Sequence, residues 1–248
     1  MRIPQAIFTS LRGQRLEGYQ LAGRSDEISE ELARELTAWG PAHDSLLSEN
    51  VHEGSVNFHP LEGDRYCLSL TSCAGSEYSR RAGGRVYTQM FVLSTEALLR
   101  FDNNPFLVLR AIEASGRTAI HDDVPPRLRS FPLVGRAVKV ERQSPDSPLP
   151  ESLASQVKPD SLAALSAAIA KSESVAVSAS LPVRLLFAAL MEMISPAERL
   201  RLSFSTGLRY CPRRPFRLFA LPSDPAEKRQ VQRQTGAAIV EINLAQAS

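Results

Sequence analysis

The residues best suited to chemistry in this sequence are histidines and thiols between positions 43 and 73. They are His43, His52, His59, Cys67 and Cys73. A cysteine or serine paired with a histidine is the usual nucleophile and base of a hydrolase. Ser205, at the end of a predicted strand, is the serine candidate, although no Gly-x-Ser-x-Gly elbow surrounds it. A hydrolase therefore stays open as the alternative function, with a hidden site among the three histidines and Cys67.

Metal and phosphate sites lack the spacing that their chemistry needs. The histidines do not form the tight local pairs, two to four residues apart, that zinc sites favour. In a straight strand Cys67 and Cys73 lie roughly 20 Å apart, too far for one metal ion or one disulfide. No glycine-rich phosphate loop and no paired-glycine dinucleotide turn follows a predicted strand. We therefore predict no cofactor, no metal and no catalytic residue of these classes.

Arginine is the more informative residue type. Four of the 29 basic residues are lysines, and the other 25 are arginines, whose planar fork suits carboxylates and interfaces. No acidic residue occurs from 199 to 217, where Pro212 and Pro215 flank an arginine pair on a predicted exposed connection. An acidic partner surface would fit this loop, although a merely solubilising loop has the same pattern. The candidate protein-binding residues are Arg80, Arg81, Arg85, Arg209, Arg213 and Arg214.

Composition restricts the class of protein. The 248 residues are 43% hydrophobic, which is typical of a folded protein rather than a disordered one. A net charge of +2 disfavours a nucleic-acid binder. Three cysteines argue against a secreted disulfide framework, and no stretch approaches the roughly 18 to 20 apolar residues of a membrane span. We therefore expect a cytoplasmic protein without a membrane segment.

The first half of the chain has the pattern of an α+β module. Two short strands are predicted at 3–10 and 17–22, and then a helix capped by Ser25 or Asp26. Residues 55–94 alternate in polarity as the strands of an antiparallel sheet do, with short helices after them. The acidic face of the predicted helix, residues 26–35, is a second candidate contact surface.

The second half of the chain has a different pattern of predicted strands and helices. A Pro/Ser-rich run at 142–158 is predicted to be a linker, which leaves an α+β module at 1–141 and a smaller α/β module at 159–248. Ser195 and Glu198 have the spacing of a capping box, and alternation over 200–206 predicts a strand after it.

Two segments resemble a known family. Gln5 to Ser10, Glu17 to Gln20 and Ser25 resemble the opening of the type-2 N-terminal module of bacterial GTPase-associated proteins. Arg199 to Thr206, followed by Pro215 to Leu218, resembles the middle module of the same proteins. The family often has a Gly-Asn pair in its central strand, whereas Tyr87-Thr88-Gln89 stands here.

This resemblance implies an adaptor or regulatory protein that contacts a small GTPase or an associated regulatory protein. The family has no established active site, so no catalytic residue is carried over. Partner, pathway and oligomeric state do not follow from the sequence.

Overall fold

The structure, a computed structural model, describes residues 1–11, 18–76, 84–121, 123–135 and 159–242. The predicted linker at 142–158 and the candidate residues Arg80 and Arg81 lie outside the described residues. The strands are β1 Arg2–Ile3, β2 Gln5–Leu11, β3 Gly18–Ser25, β4 Ser55–Leu61, β5 Arg65–Ser76, β6 Gly84–Ser94, β7 Arg127–Leu128, β8 Phe131–Pro132, β9 Val175–Ala179, β10 Phe204–Ser205, β11 Leu218–Ala220 and β12 Ala238–Ile242. The helices are α1 Glu30–Trp39, α2 Thr95–Leu99, α3 Pro105–Ala114, α4 Pro159–Lys171, α5 Val183–Met193, α6 Pro196–Arg201 and α7 Pro225–Thr235.

Ten strands of the described residues form one mixed sheet, in the order β12-β9-β11-β10-β4-β5-β6-β2-β3-β7. Strands β4, β5, β6, β2 and β3 pair antiparallel, whereas β12, β9, β11 and β10 pair parallel to one another. The predicted α+β class is confirmed. The division into two modules stays a prediction, because the described strands of both segments belong to this one sheet.

The antiparallel and parallel parts meet where β10 pairs with β4. Phe204 lies opposite Phe58 in this pair, and the backbone N–H of Thr206 donates to the Val56 carbonyl at 3.0 Å. The Phe204 ring, fully buried, also stacks on Phe106 of α3 at 5.2 Å between ring centroids. A T-shaped contact with Phe187 of α5, at 5.9 Å, completes its surroundings. One side chain therefore joins two strands to helices from both halves of the chain.

The two faces of the sheet are covered differently. On the helical face, α2, α3, α4 and α5 pack on the largest hydrophobic cluster. On the other face, here called the loop face, α1 packs on a cluster that includes Phe8 and Cys67. Helix α7 and the segments around Leu46 and Phe216 pack on a further cluster there. The candidate binding residues of the C-terminal half lie in these loop-face connections.

Helix starts illustrate both the success and the failure of local patterns. The capping box at α6 is present, since the Ser195 hydroxyl accepts from the Glu198 N–H and the Glu198 carboxylate accepts from the Ser195 N–H at 2.9 Å. The predicted cap of α1 is wrong: Ser29 caps it, and Ser25 ends β3 instead. There the Ser25 hydroxyl accepts from the Gln5 N–H at 3.0 Å.

The strand predicted over 200–206 is shorter than expected. Helix α6 runs to Arg201, so Leu200 is helical, and only Phe204 and Ser205 are in strand conformation. The alternating pattern was produced by a helix end followed by a two-residue strand. None of the described helices is long and apolar enough to cross a membrane.

Candidate functional site

The basic loop, residues 208–217, connects β10 to β11 on the loop face. It is fixed by backbone hydrogen bonds at both ends: the Arg209 N–H donates to the Ser45 carbonyl at 2.7 Å, and the Arg217 carbonyl accepts from the Val175 N–H at 2.7 Å. A turn follows, in which the Arg214 N–H donates to the Cys211 carbonyl at 2.9 Å. The loop is therefore an ordered platform for its arginines.

Arg209 forms the charged wall of this platform. Its Nη1 lies 2.5 Å from Oε2 of Glu227, in the first turn of α7, and its Nε donates to the Leu46 carbonyl at 3.3 Å. The hydrogen bond and charge of Glu227 raise the pKa of the Arg209 guanidinium. The ion pair therefore ties the basic loop to α7, and it neutralises much of the Arg209 charge.

Arg214 does not lie where the sequence predicted. The expectation that it is exposed is wrong, because only 8% of the residue is accessible to solvent. Its guanidinium turns inward toward the carbonyls of Gly40 and Arg209, each at 3.5 Å, and its buried Nε has no hydrogen-bond partner among the described residues. Burial lowers the pKa of this guanidinium. Arg214 therefore holds the loop in place from its buried side.

Arg213 is the arginine of the pair that faces solvent. Pro212 and Pro215, both exposed, flank the pair in the turn. Since a proline fixes its own φ angle, the two prolines restrict the backbone that presents Arg213. A partner carboxylate can reach this guanidinium without any rearrangement of the loop.

Arg85 is not part of a surface cluster. It is the second residue of β6, only 7% of it is accessible, and its Nε donates to the Ala74 carbonyl at 3.1 Å. The four described candidate arginines thus divide into Arg85 in the sheet and three in the basic loop.

A cleft of about 190 Å³ lies between the basic loop and α7. Arg209 and Tyr210 line it from the loop, and Glu227 and Val231 line it from α7. Its walls therefore combine a neutralised ion pair with an aromatic and an aliphatic side chain. A cleft of this size is large enough to hold one side chain.

The buried histidine and thiol lie opposite one another but are not set up for catalysis. His59 of β4 and Cys67 of β5 are cross-strand neighbours. Burial lowers the pKa of His59 to about 4 and raises the pKa of the Cys67 thiol. Both shifts oppose the thiolate–imidazolium pair that a cysteine nucleophile uses. The His59 ring instead stacks on Trp39, with 3.8 Å between the ring centroids.

The other hydrolase candidates are spread over the fold. His52 is exposed, His43 lies beside Tyr19 with 6.4 Å between ring centroids, and Ser205 is fully buried. The Ser205 hydroxyl donates to Oδ1 of Asn57 at 2.7 Å. Among the described residues no hydrogen bond joins a histidine to Cys67, Cys73 or Ser205, and no three His, Cys, Asp or Glu residues are placed to hold a metal ion.

Thiol reactivity checks this description of Cys67. In the native protein we expect iodoacetamide to label the half-buried Cys73 and Cys211 and to label Cys67 at least about 100-fold more slowly. The reason is that Cys67 is inaccessible and its thiol stays protonated. Peptide mass spectrometry measures the three rates, and denatured protein, in which all three react alike, is the control. Fast native labelling of Cys67 would contradict the buried placement.

Sequence reasoning missed one feature of the site and one of the sheet. Glu227, the partner of Arg209, belongs to α7, and no local signal in the sequence links positions 18 residues apart. A buried row of polar side chains also crosses the loop face from Ser205 through Asn57 to Thr71 and Thr88. Alternation of small polar residues in β4 and β5 was visible, but it is equally typical of solvent-exposed positions.

The fold and the site place this chain in the class of mixed α+β sheet proteins, with an ordered basic loop on one face of the sheet. Residues 2–131, more than half of the chain, match the family of GTPase-associated protein 1, N-terminal domain type 2. The chain therefore belongs to this GTPase-associated family, as its opening strands predicted. No curated protein and no solved structure matches it.

Proposed function

We propose that this protein is a non-catalytic cytoplasmic adaptor or regulatory protein that binds a small bacterial GTPase or an associated regulatory protein. Its membership in the GTPase-associated family carries the proposal. The basic loop is the contact surface that we assign. Arg213 supplies its exposed charge, and the cleft beside the loop takes a side chain of the partner.

The charges around the loop support an acidic partner. The basic loop contains four arginines and no acid, and Glu227, the carboxylate that contacts Arg209, is already paired with it. Arg213 is exposed in a turn that backbone hydrogen bonds already hold in place. Binding therefore orders the Arg213 side chain but does not have to order the loop, which keeps the entropy cost of binding small. Binding of a partner with a complementary negative surface would be faster because of this arrangement, and the charges would fix the orientation of the two proteins.

Affinity purification of the tagged full-length chain from its native cells tests the function. We expect a small GTPase, or a regulator of one, among the specifically retained proteins identified by mass spectrometry. The purified partner is then titrated in its GDP-bound and GTP-analogue-bound states. If every small GTPase and regulator of the organism fails to bind at micromolar concentration in either state, the proposal is wrong.

Charge reversal tests the contact surface separately. We expect Arg213→Glu to weaken binding of the identified partner about tenfold and to flatten its salt dependence, because a rim charge acts through steering and complementarity. The matched control is Arg110→Glu, an exposed arginine on α3 of the helical face. Full affinity of Arg213→Glu, measured by calorimetry at two salt concentrations, would remove the basic loop from the interface.

A further inference from the structure

Strand β12 is the last strand at one end of the sheet, and in the part of the chain that the structure describes it has a neighbour on one side only. It pairs parallel with β9 in a regular register, from Ala238 opposite Val175 to Ile242 opposite Ala179. Neither a proline nor a bulge interrupts it. The strand at the other end of the sheet, β7, is two residues long. Of the two terminal strands, β12 is therefore the better surface for a further strand.

The hydrogen bonds to β9 use alternate residues of β12. The Ala238 N–H donates to the Ser174 carbonyl, and the Ile242 carbonyl accepts from the Ser180 N–H, each at 3.1 Å. In a parallel pair, every second residue of a strand directs both of its backbone groups to the same neighbour. The even-numbered residues of β12 therefore face β9.

The two odd-numbered residues, Ile239 and Glu241, direct their N–H and carbonyl groups to the other side. No backbone group of the described residues pairs with them there. Backbone groups of this kind need a hydrogen-bond partner, from water or from another strand. Two residues that point the same way along an extended strand can supply both donors and acceptors to a further extended chain.

The side chains around these groups present little net charge. Oε1 of Glu241 lies 2.5 Å from Nζ of Lys228 in α7, and Ile239 is 39% exposed beside it in the strand. Val240, which is half-buried, packs on the helical face, where α4 contacts β12. The exposed residues of α4 include four alanines, Ala163, Ala164, Ala167 and Ala170. A second chain that approaches β12 therefore meets small or apolar side chains and a carboxylate that is already neutralised.

The strand is complementary to itself in one antiparallel register. When Ile239 lies opposite Glu241 of a second copy, each residue donates its N–H to the carbonyl of the other, and the two-fold axis doubles these bonds. A register with Glu241 opposite itself would set two like charges against each other. A register with Ile239 opposite itself would set Glu241 against Ala237, whose N–H already donates to Oγ1 of Thr235 at 3.1 Å. Charge and hydrogen bonding therefore favour the first register.

We propose that two copies of this chain pair through β12, antiparallel and about a two-fold axis at Val240, and so form a dimer with one continuous sheet. The two Val240 residues oppose each other at the axis as a pair without mutual backbone bonds, in which the Cα atoms are about 4.5 Å apart. Because both copies use the same strand, the assembly closes at two copies. The pairing uses no residue of the basic loop, so it does not depend on the proposed partner contact.

Sedimentation velocity of the full-length protein tests the dimer. We expect a reversible monomer–dimer equilibrium with a dissociation constant below about 100 μM, as for a small and transient interface. Arg213→Glu, in the basic loop, should dimerise as the wild type does. A protein that stays monomeric up to about 500 μM would overturn the proposal, even if β12 then binds some other extended peptide.

A proline at position 239 removes an outward N–H without removing a bond to β9, because a terminal strand tolerates proline where its N–H faces away from the sheet. We expect Ile239→Pro to weaken the dimer at least about tenfold, since symmetry removes two of its four backbone bonds. The matched control, Ile239→Val, keeps the N–H and a β-branched side chain, so its dissociation constant should stay within about twofold of the wild-type value. Unchanged dimerisation of an Ile239→Pro protein with the wild-type circular dichroism spectrum would contradict the pairing.

Cysteine cross-linking tests the register, and it does not require the proline variant to fold. In the proposed dimer the thiols of Val240→Cys face each other at a Cα separation that a disulfide can bridge. The thiols of Glu241→Cys lie opposite Ile239 of the other copy and are too far apart to join directly. After mild oxidation with oxidised glutathione, we expect Val240→Cys to cross-link at position 240 at least about tenfold faster than Glu241→Cys does at position 241, as measured by mass spectrometry of the linked peptides. Equal rates, or no link at position 240, would overturn the proposed register and the dimer built on it.

Discussion

Replacing Phe204 by alanine should cost about 3 to 5 kcal/mol of unfolding free energy, the range measured for large buried aromatic side chains. The ring is fully buried and contacts Phe58, Phe106 and Phe187, which come from β4, α3 and α5. Its removal leaves a cavity at the junction of the antiparallel and parallel strands. Denaturant unfolding, followed by far-ultraviolet circular dichroism and by the fluorescence of the single tryptophan, Trp39, measures the loss.

The two signals also test whether the antiparallel and parallel parts of the sheet unfold together. Trp39 lies in the N-terminal half, whereas circular dichroism reports helices from both halves. We expect the two curves to coincide in the wild type and to move together in the variant. The control is Leu99→Ala, since Leu99 is 66% exposed and should cost less than about 0.5 kcal/mol. A loss below 1 kcal/mol for Phe204→Ala would contradict this account of the junction.

The protein should lose stability as the pH falls from 6.5 to 4, because His59 is buried as a neutral ring. Its pKa is lowered from 6.5 to about 4 by burial. The unfolded chain therefore takes up the proton at a higher pH than the folded chain does. The stabilisation is complete above pH 6.5 and is lost as the pH falls toward 4. The difference of roughly 2.5 units between the unfolded and folded pKa values of His59 corresponds to about 3 kcal/mol of unfolding free energy.

A phenylalanine at position 59 isolates this contribution. His59→Phe keeps an aromatic ring on Trp39 and cannot be protonated, so the fall in unfolding free energy between pH 6.5 and 4 should shrink by about 3 kcal/mol. His52→Phe makes the same change at an exposed position and should leave the pH dependence as it is. Urea unfolding at half-unit pH intervals measures all three proteins. Parallel curves for the wild type and His59→Phe would show that His59 is not the titrating group.

Local signals in the sequence predicted several elements correctly. The capping box at Ser195 and the alternation through β5 act between neighbouring residues, so one sequence is enough to show them. The start of α1 was wrong because a distant residue decided it: Ser25 bonds to Gln5 across the β2–β3 pair and is thereby drawn into the strand. The local sequence around a residue that can cap a helix does not show whether that residue belongs to a strand instead.

The candidate site was predicted only in part for the same reason. Arginines between two prolines favour an exposed turn, and Arg213 fits that expectation. The burial of Arg214 depends on the Gly40 carbonyl, which lies 174 positions away along the chain. The pairing of Arg209 with Glu227 likewise depends on how α7 packs. Charge composition predicts that a surface is basic, whereas tertiary packing decides which of its charges remain available.

The pairing of β4 with β10 has a consequence for the segment that matches the family. The segment that matches the family, residues 2–131, contains β4 but not β10, so on its own it would present the backbone of β4 as a bare sheet edge. Bare edges of this kind recruit other strands and promote aggregation. Here Phe204, Ser205 and Thr206 of the same chain cover it. In this chain, therefore, the segment that matches the family depends on residues from beyond it to cover the β4 edge.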